Sequence, residues 1–248
     1  SGADIMIGRA DKPLGVLGAY SDSPKRFSEQ DIRFLQGVAN TLAAVIERHQ
    51  SHEQLNYMAV HDAVTDLPNR LLMTDRLDVA LHHAERSGMK VALLLIDLDR
   101  FKNVNDVFGH VLGDRLLHEV GQRLSHCVRA DDTVSRQSGD EFIVVLPEIE
   151  EEQDAARIAE KIIRVVTRPF TIDGQEILLG VSVGIVCFPD NGEDSETLLR
   201  NADAAMHVAQ GLGRNRYQFY SPEMNERALE LIGLEGDLRF AIERDELF

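Results

Sequence analysis

Two patterns of apolar residues divide the N-terminal part of the chain. Residues 4–21 hold two short apolar runs around a turn, which predicts a pair of strands. From Ile32 to Ile46, apolar residues recur every three or four positions, as they do on one face of a helix. Ser28 has the sequence context of an N-cap, and the helix is predicted to continue as a connector to about His61.

Beyond His61 the pattern changes to alternating helices and strands. The run Val91–Ile96 is apolar at every position, which predicts a strand buried on both faces. Strand–turn–strand patterns follow at residues 132–147 and 170–188, and a last short strand is predicted at residues 217–220. The predicted amphipathic helices cover residues 71–86, 112–127, 150–167 and 195–211.

This order of elements predicts the fold class and three domains. Residues 62–220 are predicted to form one α/β domain, an α+β sandwich with a mostly antiparallel central sheet flanked by helices. Residues 1–61, the hairpin and the connector helix, precede this domain. Residues 221–248 are predicted to begin a further helical segment.

Charge and cysteine content restrict the partners. The net charge of −16 opposes contact with nucleic acid polymers and with membranes, whereas a small phosphorylated ligand needs only a few local cations. No run approaches the roughly 20 apolar residues of a membrane span, and no signal-peptide pattern opens the sequence. Cys127 and Cys187 each lie in an apolar run, so we expect buried free thiols and a cytoplasmic location.

Two acidic residues form the first candidate site. Asp97 directly follows the apolar strand, and Asp140 lies in a tight predicted turn beside Gly139. Two carboxylates at such positions repel each other by roughly 4 kcal/mol at 4 Å, and a divalent cation relieves that repulsion. Hard oxygen ligands favour Mg²⁺ or Mn²⁺, either of which can bridge phosphate oxygens. The alternative is that both acids are ordinary loop or cap residues.

Three polar residues lie close behind Asp97 in the sequence. Lys102 is suited to meet a phosphate, and a carboxylate such as Asp114 suits the N1 and N2 donors of guanine. Asn105 adds an amide of the kind that reads a purine edge. Helix capping and surface solvation are the alternatives for these residues.

Four separated motifs resemble the GGDEF family of diguanylate cyclases, in the family's order and spacing. They are DAVTDLPNR at 62–70, IDLDRFKNVNDVFGHVLGD at 96–114, RQSGDEF at 136–142 and ADAAMHVAQGLGRNR at 202–216. The resemblance covers residues 62–220. It implies a sheet like the palm of nucleotide cyclases and polymerases, and the condensation of two GTP molecules into cyclic di-GMP with loss of two pyrophosphates.

The resemblance also implies catalytic roles. Asp97, Asp140 and the carbonyl of Leu98 would bind Mg²⁺ or Mn²⁺, and Asp140 would also accept the proton of the attacking 3′-hydroxyl. Glu141 would lie beside this site as a second acid. Lys102 would neutralise charge on the phosphates in the transition state.

Further positions match the family's nucleotide sites. Each domain would hold one GTP, so catalysis would require a homodimer, which the connector helix could control. An RxxD pattern implies an inhibitory site for the product, although a solvated charge pair is the alternative at such a weak motif. The positions are Asn105, His110 and Asp114 for the guanine nucleotide, Arg214 as a nearby cation, and Arg129 with Asp132 for the product.

Three positions depart from the family pattern. Ser138 replaces the first glycine of the signature. His207 replaces a tyrosine, and we assign no role to His207. Gln210 replaces a lysine that contacts the GTP phosphates in the family. Since one lost charge-assisted hydrogen bond is worth roughly 1.5–3 kcal/mol, we expect weaker GTP affinity or a slower rate.

The flanks resemble two other modules. Residues 4–48 resemble the last strands and closing helix of a GAF sensor domain, and residues 229–248 resemble the first helix of an EAL phosphodiesterase domain. Both are predicted to be truncated. Two hypotheses follow: an active diguanylate cyclase, or a weak or inactive module that binds GTP or cyclic di-GMP and regulates an EAL domain.

Overall fold

The computed structural model describes residues 2–20 and 27–224. The chain divides into two compact units, Ser1–Ala59 and Val60–Phe248. The predicted helix in the EAL-like tail falls outside the described residues. The predicted domain limits at residues 61 and 220 stay predictions.

The first unit contains the predicted hairpin and helix. Strands β1 (Gly2–Arg9) and β2 (Lys12–Tyr20) pair antiparallel, and helix α1 spans Glu29–Val60. The helix begins where its capping residues predict: the Asp31 N–H donates to Ser28 Oγ at 3.2 Å, and the Ser28 N–H donates to Asp31 Oδ2 at 2.8 Å.

The second unit alternates helices and strands. Its N-terminal half contains α2 (Arg70–Ser87), β3 (Lys90–Asp99), α3 (Phe101–Phe108), α4 (His110–Ser125), β4 (Thr133–Ser138) and β5 (Glu141–Ile149). Its second half contains α5 (Glu152–Val166), β6 (Phe170–Ile172), β7 (Gln175–Ile177), β8 (Gly180–Phe188), α6 (Ser195–Gly211) and β9 (Tyr217–Phe219).

The central sheet has the strand order β4-β5-β3-β8-β9 and is mostly antiparallel, as predicted. Its one parallel pair within the described residues is β8 with β9. Strand β3 lies in the middle and divides the core, because successive side chains point to opposite faces. Ala92, Leu94 and Ile96 pack with α4 and α5, whereas Leu93 and Leu95 pack with α2 and α6.

The structure corrects two sequence predictions near the candidate site. Helix α3 precedes α4, where one helix over residues 112–127 was predicted, and Gly109 with a φ of 82° separates the two helices. Phe101 and Val104 are the buried residues of α3, too few to produce a detectable period. In addition, β3 continues past Asp97 and ends at Asp99, so Asp97 lies within the strand and not after it.

Two other predictions concern burial and membranes. Cys127 and Cys187 are buried free thiols, as predicted. Burial raises the pKa of both thiols, that of Cys187 to about 12.

Across the described part of the chain, every helix is too short or too polar to cross a membrane.

Candidate functional site

The two candidate metal-binding carboxylates lie at one end of the sheet, Asp97 in β3 and Asp140 in the turn that precedes the neighbouring strand β5. Asp97 lies opposite Glu141 of β5, so the turn that carries Asp140 sits beside the last residues of β3. The Leu98 N–H donates to the Asp140 carbonyl oxygen at 3.3 Å. Gly139 has a φ of 51°, which favours glycine and allows the tight turn. Pairing in the sheet therefore brings together two acids that are 43 positions apart in the sequence.

The environment of Asp97 opposes its ionisation. Burial is the largest cause and the charge of Asp140 the next, and together they raise the pKa of Asp97 from 3.8 to about 6. The nearby charges of Asp99 and Glu141 add to the rise. The Gln210 amide partly opposes it, because Nε2 donates to Asp97 Oδ1 at 2.8 Å. The negative charge around Asp97 is thus only partly offset.

We expect Asp97→Asn to stabilise the metal-free protein at neutral pH. A carboxyl whose pKa is raised on folding costs stability when it ionises, so this cost appears as the pH rises from about 4 to about 6 and is fully present above. After allowance for solvent screening, removing it should add about 1 kcal/mol to the free energy of unfolding near pH 7.

Thermal unfolding in EDTA near pH 7 and near pH 4 measures this effect. The stability gain should shrink at the lower pH, where Asp97 is protonated, and Glu85→Gln on the exposed side of α2 is the control. An Asp97→Asn protein that is less stable than wild type near pH 7 would contradict the electrostatic interpretation.

The donors at this end of β3 suit a hard divalent cation. The carboxylates of Asp97 and Asp140 and the carbonyl of Leu98 are all oxygen donors, the type that Mg²⁺ and Mn²⁺ prefer. Within residues 2–20 and 27–224, no group of three or more His, Cys, Asp or Glu side chains forms a metal cluster. The residues therefore fit an ion that keeps water or phosphate ligands, as Mg²⁺ usually does.

The residues that depart from the family signature have defined contacts. Ser138 is the last residue of β4, and its hydroxyl donates to Glu141 Oε2 at 3.2 Å. The backbone of Ser138 is not at positive φ, so a serine fits at this position. His207 lies on the exposed side of α6, with its ring 3.3 Å from Asp203. Gln210 faces Asp97 with a neutral amide where the family has a positive charge.

Asn105 lies in a close contact between α3 and α4. Its Oδ1 is buried and has no hydrogen-bond partner among the described residues. A Cβ on Gly113 would lie 1.9 Å from that oxygen, so a side chain at position 113 would displace the Asn105 amide. A buried amide oxygen without a partner is a candidate contact for a ligand's N–H donor.

We expect Gly113→Ala to weaken GTP binding by displacing the Asn105 side chain. The substitution favours the helix itself, so any loss arises from the contacts of the new Cβ with α3, where Asn105 is nearest and Phe101 Cζ lies at 3.3 Å. The loss should be on the order of tenfold, as for one hydrogen bond misplaced at a buried group.

Calorimetry with GTP measures this loss, and Gly37→Ala provides the control. Gly37 is also helical, and a Cβ there would have no neighbour within 4 Å. Unchanged GTP affinity in Gly113→Ala would exclude Asn105 from the nucleotide site.

Three more of the predicted phosphate and nucleotide residues lie on the surface of the α3–α4 pair, whereas Arg214 lies in the loop after α6. Lys102 is exposed in the first turn of α3, and His110 is exposed at the start of α4. Asp114 lines a cavity of about 570 Å³ that also includes Arg115 and the tip of the β6–β7 hairpin. Asn105 is not among the residues that line this cavity. Asn105 on α3 and Asp114 on α4 thus belong to the same helix pair.

The predicted product site lies before β4. The Arg129 N–H donates to Asp132 Oδ2 at 2.7 Å, which orients that carboxylate within the turn. Burial raises the pKa of Asp132 against the opposing effect of Arg129. Asp132 lines a cavity of about 470 Å³ together with Arg76 and His83 of α2, but Arg129 does not line it.

A further ion pair, which the sequence did not reveal, connects the start of the second unit to the signature turn. Arg136 Nη1 donates to Asp62 Oδ1 at 2.8 Å, and Arg136 Nε and Nη2 donate to the Gly139 carbonyl at 3.0 and 2.8 Å. Burial alone would raise the pKa of Asp62, but hydrogen bonds from Arg136 and Thr65 outweigh it and lower the pKa. Arg136 therefore braces the turn that carries Asp140.

Asp99 is a second residue that the sequence analysis passed over. It lies two positions beyond Asp97 on the same face of β3, and it is 6% exposed. Ser182 Oγ donates to its Oδ1 at 2.8 Å, and the Asn215 N–H donates to its Oδ2 at 3.0 Å. Arg214 Nε lies 3.9 Å from Oδ1. A second carboxylate at strand spacing was the signal available in the sequence.

Comparisons with known proteins match most of the second unit to one family. The family model described as "Diguanylate cyclase, GGDEF domain" matches residues 59–216. The bifunctional diguanylate cyclase/cyclic di-GMP phosphodiesterase MucR of Pseudomonas aeruginosa is 43% identical over 213 residues, which are 86% of this chain and 31% of MucR. The cyclic di-GMP phosphodiesterase PdeR of Escherichia coli is 38% identical over 203 residues, 82% of this chain and 30% of PdeR.

A solved structure has the same fold. The isolated GGDEF domain of TpbB from Pseudomonas aeruginosa superposes with a TM-score of 0.66 at 36% identity, covering 68% of this chain and 99% of that domain. This chain spans only about a third of the length of MucR and PdeR, so their whole activities do not transfer to it. With a family model that matches most of the second unit and a domain structure of the same fold, this chain belongs to the GGDEF family of diguanylate cyclases.

Proposed function

We propose that the chain is a metal-dependent diguanylate cyclase that condenses two GTP molecules into cyclic di-GMP. The observation that supports this function best is the meeting of Asp97 and Asp140, where pairing of β3 with β5 places two carboxylates at one sheet end. Burial and the charge of Asp140 raise the pKa of Asp97, and a divalent cation would relieve the repulsion between the two carboxylates.

The residues around this pair have the chemistry that the reaction requires. In each half-reaction a 3′-oxygen bonds to the α-phosphorus of the other GTP, the α–β bridging bond breaks, and pyrophosphate leaves. Asp140 accepts the 3′-hydroxyl proton, and Lys102 offsets charge on the phosphates. Mg²⁺ or Mn²⁺, held by Asp97, Asp140 and the Leu98 carbonyl, would stabilise the charge that develops on the reacting oxygens. Glu141 lies beside Asp97 as a second acid.

The nucleotide and the second subunit complete the proposal. Asn105 would contact guanine through its buried amide, with His110 and Asp114 on the same helix pair and Arg214 near the phosphates. Each domain would hold one GTP, so two copies must face each other for both bonds to form. We therefore propose that the active form is a homodimer.

A direct assay tests this function. Incubation of the protein with GTP and Mg²⁺ should yield cyclic di-GMP and pyrophosphate, separated by chromatography, and EDTA should stop the reaction. A demonstrated dimer that forms no product would contradict it.

Product inhibition at Arg129 and Asp132 is a further part of the proposal, and Arg129→Ala should relieve it. Loss of one charge-assisted contact should weaken inhibition by about tenfold or more. Time courses of product formation at rising cyclic di-GMP measure the effect, and Arg157→Ala on the exposed side of α5 is the control. Inhibition of the same strength in Arg129→Ala would place the product elsewhere.

Gln210 favours a second candidate function. A neutral amide stands beside Asp97 where the family has a lysine, which lowers the positive charge available to the phosphates. A module that binds GTP or cyclic di-GMP without turnover could regulate an EAL phosphodiesterase domain, and the relative PdeR is named a phosphodiesterase. Tight GTP binding without product would favour this function.

The flanking modules stay part of the proposal. We assign residues 1–61 to a GAF-like hairpin with a signalling helix, residues 62–220 to the GGDEF domain and residues 221–248 to an EAL-like start. The antiparallel hairpin and the long helix that follows it support the first assignment.

We also propose a cytoplasmic location, because buried free thiols suit a reducing compartment and GTP is available there.

A further inference from the structure

We infer that Asp99 is a positioning residue that fixes the loop after α6 and thereby places Arg214 for the triphosphate. This inference rests on the proposed function, because the guanidinium is argued to meet GTP. It assigns a task to a carboxylate that neither the metal site nor the guanine contacts require. The observation behind it is the pair of contacts that join Asp99 to Arg214 and Asn215.

The loop has a backbone conformation that needs an anchor. Gly213, Arg214 and Asn215 have φ values of 115°, 64° and 49°, so three successive residues lie at positive φ. Two of the three are not glycine, and the left-handed region is unfavourable for residues with a Cβ. Such a conformation persists only where surrounding contacts determine it. The loop therefore depends on the hydrogen bonds that hold it.

Asp99 supplies a tertiary contact to the centre of this loop. Its Oδ2 accepts the Asn215 N–H at 3.0 Å, while the Arg214 N–H donates to the Ala209 carbonyl within the helix end at 3.2 Å. Ser182 orients the other carboxylate oxygen from the neighbouring strand. Because the side chain of Asp99 is only 4% exposed, these bonds are not exchanged with water.

The space around Asp99 is fitted to the carboxylate. Gly180 lies opposite Asp99 on β8, and a Cβ there would fall 2.7 Å from Asp99 Oδ2. The absence of a side chain at Gly180 thus leaves room for the oxygen that accepts from the loop. One strand pair provides both the carboxylate and the gap that it occupies.

The geometry leaves Arg214 able to reach a ligand. Nε is the guanidinium nitrogen nearest to Asp99, at 3.9 Å, so the two terminal nitrogens lie farther from that carboxylate. The Arg214 side chain is 48% exposed. Gln210 provides no charge and the last turn of α6 contains no basic residue, so Arg214, in the loop that follows, is a cation that this segment can offer to a phosphate.

A double-mutant cycle tests whether Asp99 acts through Arg214. Calorimetry with Mg²⁺ and the non-hydrolysable analogue guanosine 5′-[α,β-methylene]triphosphate would compare wild type, Asp99→Asn, Arg214→Ala and the double variant. Asp99→Asn keeps the shape but loses the charge, and should weaken analogue binding on the order of tenfold. In the Arg214→Ala background the same change should cost less than about twofold.

Two further variants keep the test independent of folding defects. Gly180→Ala leaves every charge in place but displaces the Asp99 carboxylate, and should weaken binding as Asp99→Asn does, with faster amide exchange at Asn215. Ser182→Ala removes a hydrogen bond to Asp99 without touching the loop, and should change binding by less than about threefold.

The outcomes separate this inference from the proposed function. Additive losses in the cycle, or unchanged binding in both Asp99→Asn and Gly180→Ala, overturn the role of Asp99 and leave the cyclase proposal standing. A wild-type protein that shows the coupled losses but makes no cyclic di-GMP overturns the proposed function alone. A wild-type protein that does not bind the analogue overturns both.

Discussion

Asp140→Asn should lower the rate of cyclic di-GMP formation by at least about a thousandfold while leaving the protein folded. The substitution removes a proposed metal ligand and the proposed proton acceptor at once, and keeps the size of the side chain. Because the backbone carbonyl of residue 140 accepts from the Leu98 N–H, the hairpin pairing does not depend on the side chain that is changed.

Turnover of GTP in Asp140→Asn beside Glu85→Gln measures this effect. Thermal unfolding of both proteins checks that the fall in rate does not come from unfolding. Asp140→Asn relieves the repulsion with Asp97, so without metal it should be at least as stable as wild type. A rate within tenfold of wild type would remove Asp140 from the reaction.

Arg136→Ala should destabilise the second unit by about 3 kcal/mol, since it leaves the partly buried Asp62 carboxylate without its counter-ion and the Gly139 carbonyl without its side-chain donors. The Arg136 side chain is only 10% exposed and that of Asp62 is 24% exposed, so water replaces the lost hydrogen bonds poorly. The turn that carries Asp140 should also lose its brace, and turnover should fall even where the protein remains folded.

Urea unfolding of Arg136→Ala beside Arg157→Ala measures the difference. Arg157 pairs with Asp154 on an exposed helix face, with 70% of its side chain accessible, so its loss should cost less than about 1 kcal/mol. Asp62→Ala with Arg136→Ala should cost less than the sum of the two single variants. Equal effects at Arg136 and Arg157 would contradict a bracing role.

The order of the elements could be predicted from the sequence because its periodic segments are long. Helix α6 occupies the predicted residues 195–211, and β3 contains the apolar run Val91–Ile96. Helix α3 was not predicted, because its two buried residues give no period. Asp97 was placed after the strand because the apolar run ends at Ile96, whereas β3 pairs with β5 as far as Asp97 and with β8 as far as Asp99.

The candidate site was predicted mostly from motifs, and its contacts were not. Nothing in the sequence pairs Asp62 with Arg136, because 74 positions separate them and only the fold brings them together. Gln210 was expected to lose a phosphate contact, and the structure adds that its amide faces Asp97. Asp99 was passed over because its partners are a backbone N–H and a hydroxyl on distant segments.

Metal binding tests the central claim most directly, because the proposed phosphoryl transfer depends on Asp97 and Asp140 acting on one ion. Mn²⁺ can be titrated into the protein with the non-hydrolysable GTP analogue and followed by electron paramagnetic resonance, for wild type, Asp97→Asn and Asp140→Asn. We expect each variant to bind Mn²⁺ at least about tenfold more weakly than wild type. Mn²⁺ affinity equal to wild type in either variant would show that the two carboxylates do not share a metal ion.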